Sequence, residues 1–290
     1  MTTRYRTVDV GGINVFFREP GAADAPALLL LHGFPTSSHV FRELIPALAD
    51  RHYAIAPDLP DFVFSDAPDR ASFKYSFDHL AEVIDRFTEV LGLCRYAIYA
   101  FDYWAPVGFR LAIRHPERVT AVISQNDNAY LEGLSEGWNP IQTYWQNPSP
   151  ENRAALRGFL TPEATHTQYA TGVPTPELLP PDTLDSALLA RPGNDEIQLD
   201  LLGDYQSNVA LYPKFQEYFR TRRPPLLAVW GKNDPFFVPA GAKAFTRDIP
   251  DIEVHLLEAG HFALESQGPE IAAIIRDFLA RKLTQKSRAA

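Results

Sequence analysis

Short apolar runs alternate with helical patterns over the first 125 residues of the chain. Four of these runs have the length and continuous apolar character of buried strands, at 27–33, 53–60, 96–100 and 119–125. The segments between them carry apolar residues at helical spacing, at 38–50, 77–91 and 105–114. Because parallel strands need a crossover helix, this alternation predicts an α/β fold, with a mostly parallel twisted sheet flanked by helices.

The segment from about residue 128 to residue 215 has a different character, rich in Pro, Gly, Asn and Tyr and without strand-like runs. Strand patterns then return at 224–231 and 252–258, followed by helical patterns at 240–247 and 269–282. We therefore predict one α/β core, residues 1–127 and 216–290, interrupted by a helical cap insertion at 128–215. A cap would cover the carboxyl ends of the strands, where open α/β sheets bind ligands. Alternatively, the insertion at 128–215 has only a structural role and does not cover a binding site.

The charge and cysteine content of the chain disfavour several classes of function. With 27 Lys and Arg against 36 Asp and Glu residues, the net charge of −9 disfavours nucleic-acid binding. The single cysteine, Cys94, excludes an internal disulfide and a multi-cysteine metal site. The amino terminus has no signal-like apolar segment, and the apolar run at 25–31 is too short to cross a bilayer. We expect a cytoplasmic protein with no nucleic-acid or membrane partner.

Three reactive side chains each follow a predicted strand, in the order Asp102, Asp234 and His261. Nucleophile, acid and histidine on successive strand ends is the chain order of α/β-hydrolases. Each residue also has an ordinary structural explanation, since Asp102 could cap a helix and Asp234 could form a turn before Pro235. Asp127, at the end of the fourth strand, is an alternative acid for orienting His261.

Five short motifs in this order resemble the α/β-hydrolase fold family, within it the branch of epoxide hydrolases and haloalkane dehalogenases, whose nucleophile is an Asp. The motifs are His32-Gly33-Phe34-Pro35, Asp58-Leu59-Pro60, the turn around Asp102, Gly231-Lys232-Asn233-Asp234-Pro235, and Gly260-His261. They extend from about residue 30 to residue 265 and so cover nearly the whole chain.

The resemblance implies a hydrolase that needs neither a cofactor nor a metal. Asp102 would attack an electrophilic carbon and form an ester, and His261, oriented by Asp234, would activate the water that hydrolyses it. The backbone amides of Phe34 and Tyr103 would stabilise the oxyanion. The chain has no Ser in a Gly-x-Ser-x-Gly turn, which disfavours an ordinary serine esterase.

The choice of substrate depends on the groups around the nucleophile. Haloalkane dehalogenases usually hold the halide with a Trp directly after the nucleophile, and neither Tyr103 nor Phe34 matches that halide clamp. Epoxide hydrolases use cap tyrosines, and we expect Tyr212, with Tyr144 as its partner, to bind substrate beside Phe34 and Trp104. The other tyrosines of the insertion are Tyr130, Tyr169 and Tyr205. Epoxide hydrolysis of a small apolar substrate is our first hypothesis, and dehalogenation is the second.

Bulky or charged residues occupy three positions where relatives of this type usually have small ones. Trp104 must either enter the pocket, where its N–H could bind a leaving group, or push the nucleophile turn apart. Val63 is β-branched, so we expect its loop to have left any glycine-only conformation. Asp61, if buried near Asp102, would raise one carboxylate pKa. These residues could reflect natural divergence to another substrate or a redesigned pocket. They also lead to our third hypothesis, that the protein binds a ligand without catalysing a reaction.

Overall fold

The computed structural model describes residues 2–20 and 24–288 and contains an eight-stranded sheet in the order β1-β2-β4-β3-β5-β6-β7-β8. Strands β1 and β2 are antiparallel, as are β2 and β4, and the remaining neighbours are parallel. The predicted mostly parallel sheet is thus confirmed. The strands are β1 Thr3–Asp9, β2 Asn14–Pro20, β3 Ala27–Leu31, β4 Tyr53–Pro57, β5 Tyr96–Phe101, β6 Val119–Gln125, β7 Leu226–Gly231 and β8 Glu253–Leu257.

Helices cover both faces of the sheet, because alternate residues of the central strands point to opposite sides. In β3, Leu28 and Leu30 join one apolar cluster, and Leu29 and Leu31 join the other. The helices of the core are α1 Leu44–Leu48, α2 Phe77–Val90, α3 Ala105–Arg114, α9 Pro239–Ala244 and α10 Ala263–Arg288.

Two of the predicted helices differ from the structure. The segment 38–50 is a 3-10 turn, Ser38–Phe41, followed by the short α1, in which Pro46 cannot donate a backbone hydrogen bond. The last helix begins at Ala263 rather than at residue 269, with a non-helical Gln267 just before Pro269. In both places proline interrupts the helical hydrogen-bond pattern, so the sequence pattern is a poor guide to the helix boundary.

The segment between β6 and β7 contributes helices and no strand to the described sheet. We call residues 128–222 the helical insertion. Its helices are α4 Asn139–Gln146, α5 Pro150–Ala155, α6 Pro162–Ala170, α7 Thr183–Leu189 and α8 Asn194–Arg222. The long α8 continues past residue 215 and packs on α2 and α3 of the core. No described helix is both long and apolar enough to cross a membrane.

Candidate active site

Asp102 begins the turn that joins β5 to α3. It is the first residue after β5 and opens a 3-10 turn, Asp102–Trp104, with a φ of 50°. A residue other than glycine at positive φ is strained, and such strain is common where a turn presents a catalytic side chain. The carboxylate is 5% exposed, and its Oδ1 accepts a hydrogen bond of 2.6 Å from the Phe34 amide.

The loop before Phe34 comes so close to Asp102 that only glycine fits at position 33. A Cβ on Gly33 would lie 2.7 Å from Oδ1 of Asp102, which is shorter than any normal contact. The backbone amide of Tyr103 also favours the ionised form of the carboxylate. Of the two amides predicted to stabilise an oxyanion, that of Phe34 donates to the Asp102 side chain and that of Tyr103 favours its negative charge.

His261 lies between the two aspartates that were predicted to work with it. Its Nδ1 is 2.8 Å from Oδ2 of Asp234, and its Nε2 is 3.5 Å from Oδ2 of Asp102. The imidazole is 1% exposed and stacks on the Phe237 ring, with centroids 5.6 Å apart. The structure thus brings together the three side chains that follow β5, β7 and β8.

The Asp234 carboxylate is held by more partners than the sequence suggested. Its Oδ1 accepts from the amides of Phe236 and Phe237, and its Oδ2 accepts from Nδ2 of Asn126 at 2.8 Å. Sequence reasoning missed Asn126, although it directly follows β6 just as Asp102 follows β5. The feature that marks Asn126 is its positive φ of 41°, and a backbone angle cannot be read from a sequence.

Asp127, the alternative acid, does not contact His261. It is fully buried, and its Oδ1 accepts a 2.8 Å hydrogen bond from the Ser124 hydroxyl. Burial raises the pKa of Asp127 well above its usual range, and the charge of Asp102 adds to this. Of the two acids that could have contacted His261, Asp234 does so, at Nδ1, and Asp127 does not.

Burial and neighbouring charges oppose each other at both Asp102 and His261. Burial raises the pKa of Asp102 to about 6, although His261 and the amides of Phe34 and Tyr103 favour the ionised form. Burial alone would lower the pKa of His261, but the carboxylates of Asp234 and Asp102 outweigh it and raise that pKa. The pKa of Asp102 therefore lies closer to neutral pH than that of an isolated Asp, and the pKa of His261 lies above its ordinary value.

A narrow cavity of about 50 Å³ lies against Asp102 and His261. Apart from this pair, its side-chain lining is apolar or aromatic with one exception, Gln168 of α6. The core contributes Phe34, Tyr103, Phe236 and Phe237, and the insertion contributes Trp138, Ile141, Phe159 and Leu202. Such a lining suits a small organic molecule without charge, since a charged one would lose its hydration.

The two tyrosines predicted to bind substrate do not line this cavity. Tyr144 lies in an open groove of about 800 Å³ on the outer side of the insertion, beside Arg70 and Lys74. Tyr212 is 2% exposed and lies deeper in the insertion. Neither position could be read from the sequence, because it depends on how the helices of the insertion pack on the core.

Tyr205 is the tyrosine of the insertion that packs against the cavity wall. Its ring lies 5.6 Å from that of Tyr103 and 4.6 Å from that of Trp138, and both of these residues line the cavity. The hydroxyls of Tyr205 and Tyr212 lie near each other, and neither makes a hydrogen bond with a described residue. Two other hydroxyls of the insertion are engaged, that of Tyr130 by Asp248 and that of Tyr169 by Asp185.

Trp104 neither enters the cavity nor disrupts the turn at Asp102, which contradicts our prediction that it lines the substrate site. Its ring is fully buried behind the turn, 4.9 Å from Phe62 and 5.9 Å from His32. Its indole Nε1 has no hydrogen-bond partner among the described residues. The side chain avoids the cavity because an aromatic pocket of the core accepts it.

The prediction for Val63 was also wrong, because its loop keeps a left-handed conformation. Val63 has a φ of 47° and Asp61 a φ of 72°, both in the region that favours glycine. Asp61, whose burial the sequence left open, is buried and faces the insertion, where Asn194 donates to it at 2.9 Å and Arg191 lies 3.4 Å away. Asp61 therefore joins the core loop to the insertion.

The described residues contain no group of three or more His, Cys, Asp and Glu side chains arranged to hold a metal ion. The polar atoms of the site instead form a chain from Asn126 through Asp234 and His261 to Asp102. Such a chain can orient an imidazole and hold it ready to accept a proton from water.

Comparison of the chain with known proteins finds similarity to α/β hydrolases. Residues 26–267 match the model of the α/β hydrolase fold family. An uncharacterized hydrolase of Saccharomyces cerevisiae is 44% identical over 284 residues, 96% of this chain and 97% of the relative. Haloalkane dehalogenase 2 of Mycobacterium bovis is 28% identical over 86% of both chains, and epoxide hydrolase 2 of Caenorhabditis elegans is 25% identical over 95% of this chain and 79% of its own. The chain therefore belongs to the α/β-hydrolase fold family and is a hydrolase of the branch that contains haloalkane dehalogenases and epoxide hydrolases.

Proposed function

We propose that this protein hydrolyses small epoxides through an ester on Asp102. The proposal is supported by one observation, that His261 lies between the carboxylates of Asp234 and Asp102. The Asp102 carboxylate also accepts a hydrogen bond from the Phe34 amide. A carboxylate is ionised without a base and can attack an alkyl carbon directly, so it suits ring opening better than acyl transfer.

In the first step, an Asp102 oxygen forms a bond to an epoxide carbon. The ring C–O bond breaks and leaves its electron pair on oxygen, which takes the hydroxyl proton of Tyr205. Tyr205 is our choice of acid because it packs on Tyr103 at the cavity wall. A cavity of about 50 Å³ is smaller than typical ligand sites of roughly 300 Å³ or more, so the insertion must shift when substrate enters.

In the second step, Nε2 of His261 takes a proton from water and the hydroxide adds to Cγ of the Asp102 ester. The amides of Phe34 and Tyr103 stabilise the oxyanion that results. Collapse of this intermediate breaks the ester bond, and the departing oxygen of the diol takes the proton from His261. The acid proton left on Asp102 restores the Tyr205 hydroxyl through water, which returns every group to its starting state.

Dehalogenation is the second candidate, and one observation favours it. No tyrosine hydroxyl of the insertion lines the cavity in this conformation, and a halide, unlike an alkoxide, leaves without needing a proton. The same attack by Asp102 would then break a carbon–halogen bond, and the same hydrolysis would release an alcohol. The proposed cap role of the insertion is common to both reactions.

The test traps the ester in a His261→Gln variant, in which hydrolysis is blocked and attack by Asp102 is not. The variant would be incubated with 1,2-epoxybutane or with 1-bromobutane, and the peptide containing Asp102 would be analysed by mass spectrometry. The epoxide adds its whole mass, whereas the bromide adds a butyl group with release of bromide ion. An Asp102→Asn/His261→Gln double variant is the control. No adduct from either reagent would refute the covalent mechanism, and an adduct from the bromide alone would select dehalogenation.

A further inference from the structure

Gln168 places one polar side chain in the wall of an otherwise apolar cavity. It lies in α6, is 7% exposed and lines the same cavity as Asp102 and His261. Its amide makes no hydrogen bond with any described residue. The amide atoms are not among the fully enclosed polar atoms that lack a partner, so the amide is open to the cavity that Gln168 lines and can bind a ligand there.

The other polar atoms of the cavity wall are already engaged or closed off. The indole N–H of Trp138 donates to the Phe236 carbonyl at 3.2 Å. The Tyr103 hydroxyl is buried within the protein and is not exposed to the cavity. Asp102 and His261 are used in the proposed reaction. Gln168 is therefore the side chain of the described lining that remains to recognise a polar substituent.

The packing of α6 fixes Gln168 relative to the catalytic histidine. The ring of the next residue, Tyr169, stacks on Phe262 with centroids 4.2 Å apart. Just beyond the helix, the carbonyl of Gly172 accepts a 3.0 Å hydrogen bond from Asn233 Nδ2. These contacts anchor α6 to the two loops that carry His261 and Asp234, so its side chains keep a defined position over the site.

We propose that Gln168 hydrogen-bonds a hydroxyl or carbonyl group of the substrate and selects small molecules that carry one beside the reacting carbon. A primary amide both donates and accepts, so it can satisfy a hydroxyl group, which does the same. The small size of the cavity places such a group close to the reacting carbon. This inference rests on the proposed function and names its substrate class as oxygen-substituted epoxides.

The test uses glycidol and 1,2-epoxybutane, which have the same number of non-hydrogen atoms and differ by a hydroxyl in place of a methyl group. In the wild type we expect kcat/KM to favour glycidol. Gln168→Met keeps the side-chain length and removes the amide, so it should lower the glycidol preference roughly 3- to 10-fold, the effect of one neutral hydrogen bond. Gln168→Leu is a second variant if the first does not fold. Gln206→Met, at an exposed position of α8, is the matched control and should keep the wild-type ratio.

The possible outcomes separate this inference from the proposed function. Turnover of both epoxides with a ratio that is the same in Gln168→Met and wild type would overturn the inference alone, as would an equal loss on both substrates. If the wild type turns over neither epoxide, the epoxide proposal fails. In that case, the role of Gln168 is tested by the ratio of kcat/KM for 2-bromoethanol to that for 1-bromopropane, another matched pair. The inference requires that Gln168→Met lowers this ratio. No reaction with either pair would overturn both claims.

Discussion

The imidazole Nδ1 of His261 lies 2.8 Å from Oδ2 of Asp234, and this contact determines which ring nitrogen carries the proton. With its Nδ1–H donated to the carboxylate, the ring presents an unprotonated Nε2 on the side that faces Asp102. The role we propose for Asp234 is therefore to orient the base and to stabilise the imidazolium that forms during ester hydrolysis.

Asp234→Asn should slow ester hydrolysis far more than ester formation. An amide in this position can favour the wrong tautomer of His261, a change worth about 10⁴-fold in serine protease triads. We expect turnover to fall about 10³- to 10⁴-fold while alkylated enzyme accumulates, measured by mass spectrometry during the first turnover. The control is Asp127→Asn, since Asp127 does not contact His261. Normal hydrolysis in Asp234→Asn together with its loss in Asp127→Asn would assign the acid to Asp127 instead.

Ester formation should decrease in acid solution. Burial raises the pKa of Asp102 to about 6, and only the ionised carboxylate attacks carbon. The rate of alkylation should therefore be constant above this pKa and fall tenfold per pH unit well below it. Rapid quench of His261→Gln at a series of pH values measures this step alone. Because His261 favours ionised Asp102, its loss should move the midpoint upward, and a rate that stays constant down to pH 4 would contradict the expected burial effect.

Tyr205→Phe should distinguish the two candidate reactions. Loss of a general acid typically costs about 10²- to 10⁴-fold, so epoxide opening should fall by that amount. Turnover of a haloalkane should change little, because the halide needs no proton. Tyr144→Phe is the matched control, since Tyr144 lies in the outer groove. Equal losses on an epoxide and a haloalkane would indicate that Tyr205 acts through packing rather than as an acid.

The arrangement of the candidate site could be predicted where it depends on strand ends. Apolar runs locate the parallel strands, and the carboxyl ends of such strands share one edge of the sheet. Asp102, Asp234 and His261 were therefore expected to meet, and they do. Strand β1 was not anticipated, because it lies at the sheet edge with mostly exposed residues and has no apolar run.

The parts of the site contributed by the insertion could not be predicted from the sequence. Tyr205 and Tyr212 lie on the same helix, but the packing of α8 on the core decides which of them reaches the cavity wall. Gln168 had no signal, because an amide in a helix is ordinary until the opposite side of the cavity is known. The side-chain direction of Trp104 also depended on distant residues, notably Phe62.

In an Asp61→Asn variant, the free energy of unfolding should decrease less as pH rises than it does in the wild type. Burial raises the pKa of Asp61 from 3.8 to about 6, with Arg191, Gln198 and Asn194 opposing the shift. Between these values the folded protein binds more protons than the unfolded chain, so stability is lost as pH rises from about 4 to about 6. A shift of this size corresponds to about 3 kcal/mol, which the neutral amide would not lose. Urea unfolding at pH 4.5 and pH 8 measures most of this difference, since part of it is already lost at pH 4.5, with the exposed Asp69→Asn as control. If Asp61→Asn were less stable than wild type at pH 8, the attraction of Arg191 for the ionised carboxylate would exceed the cost of burying it.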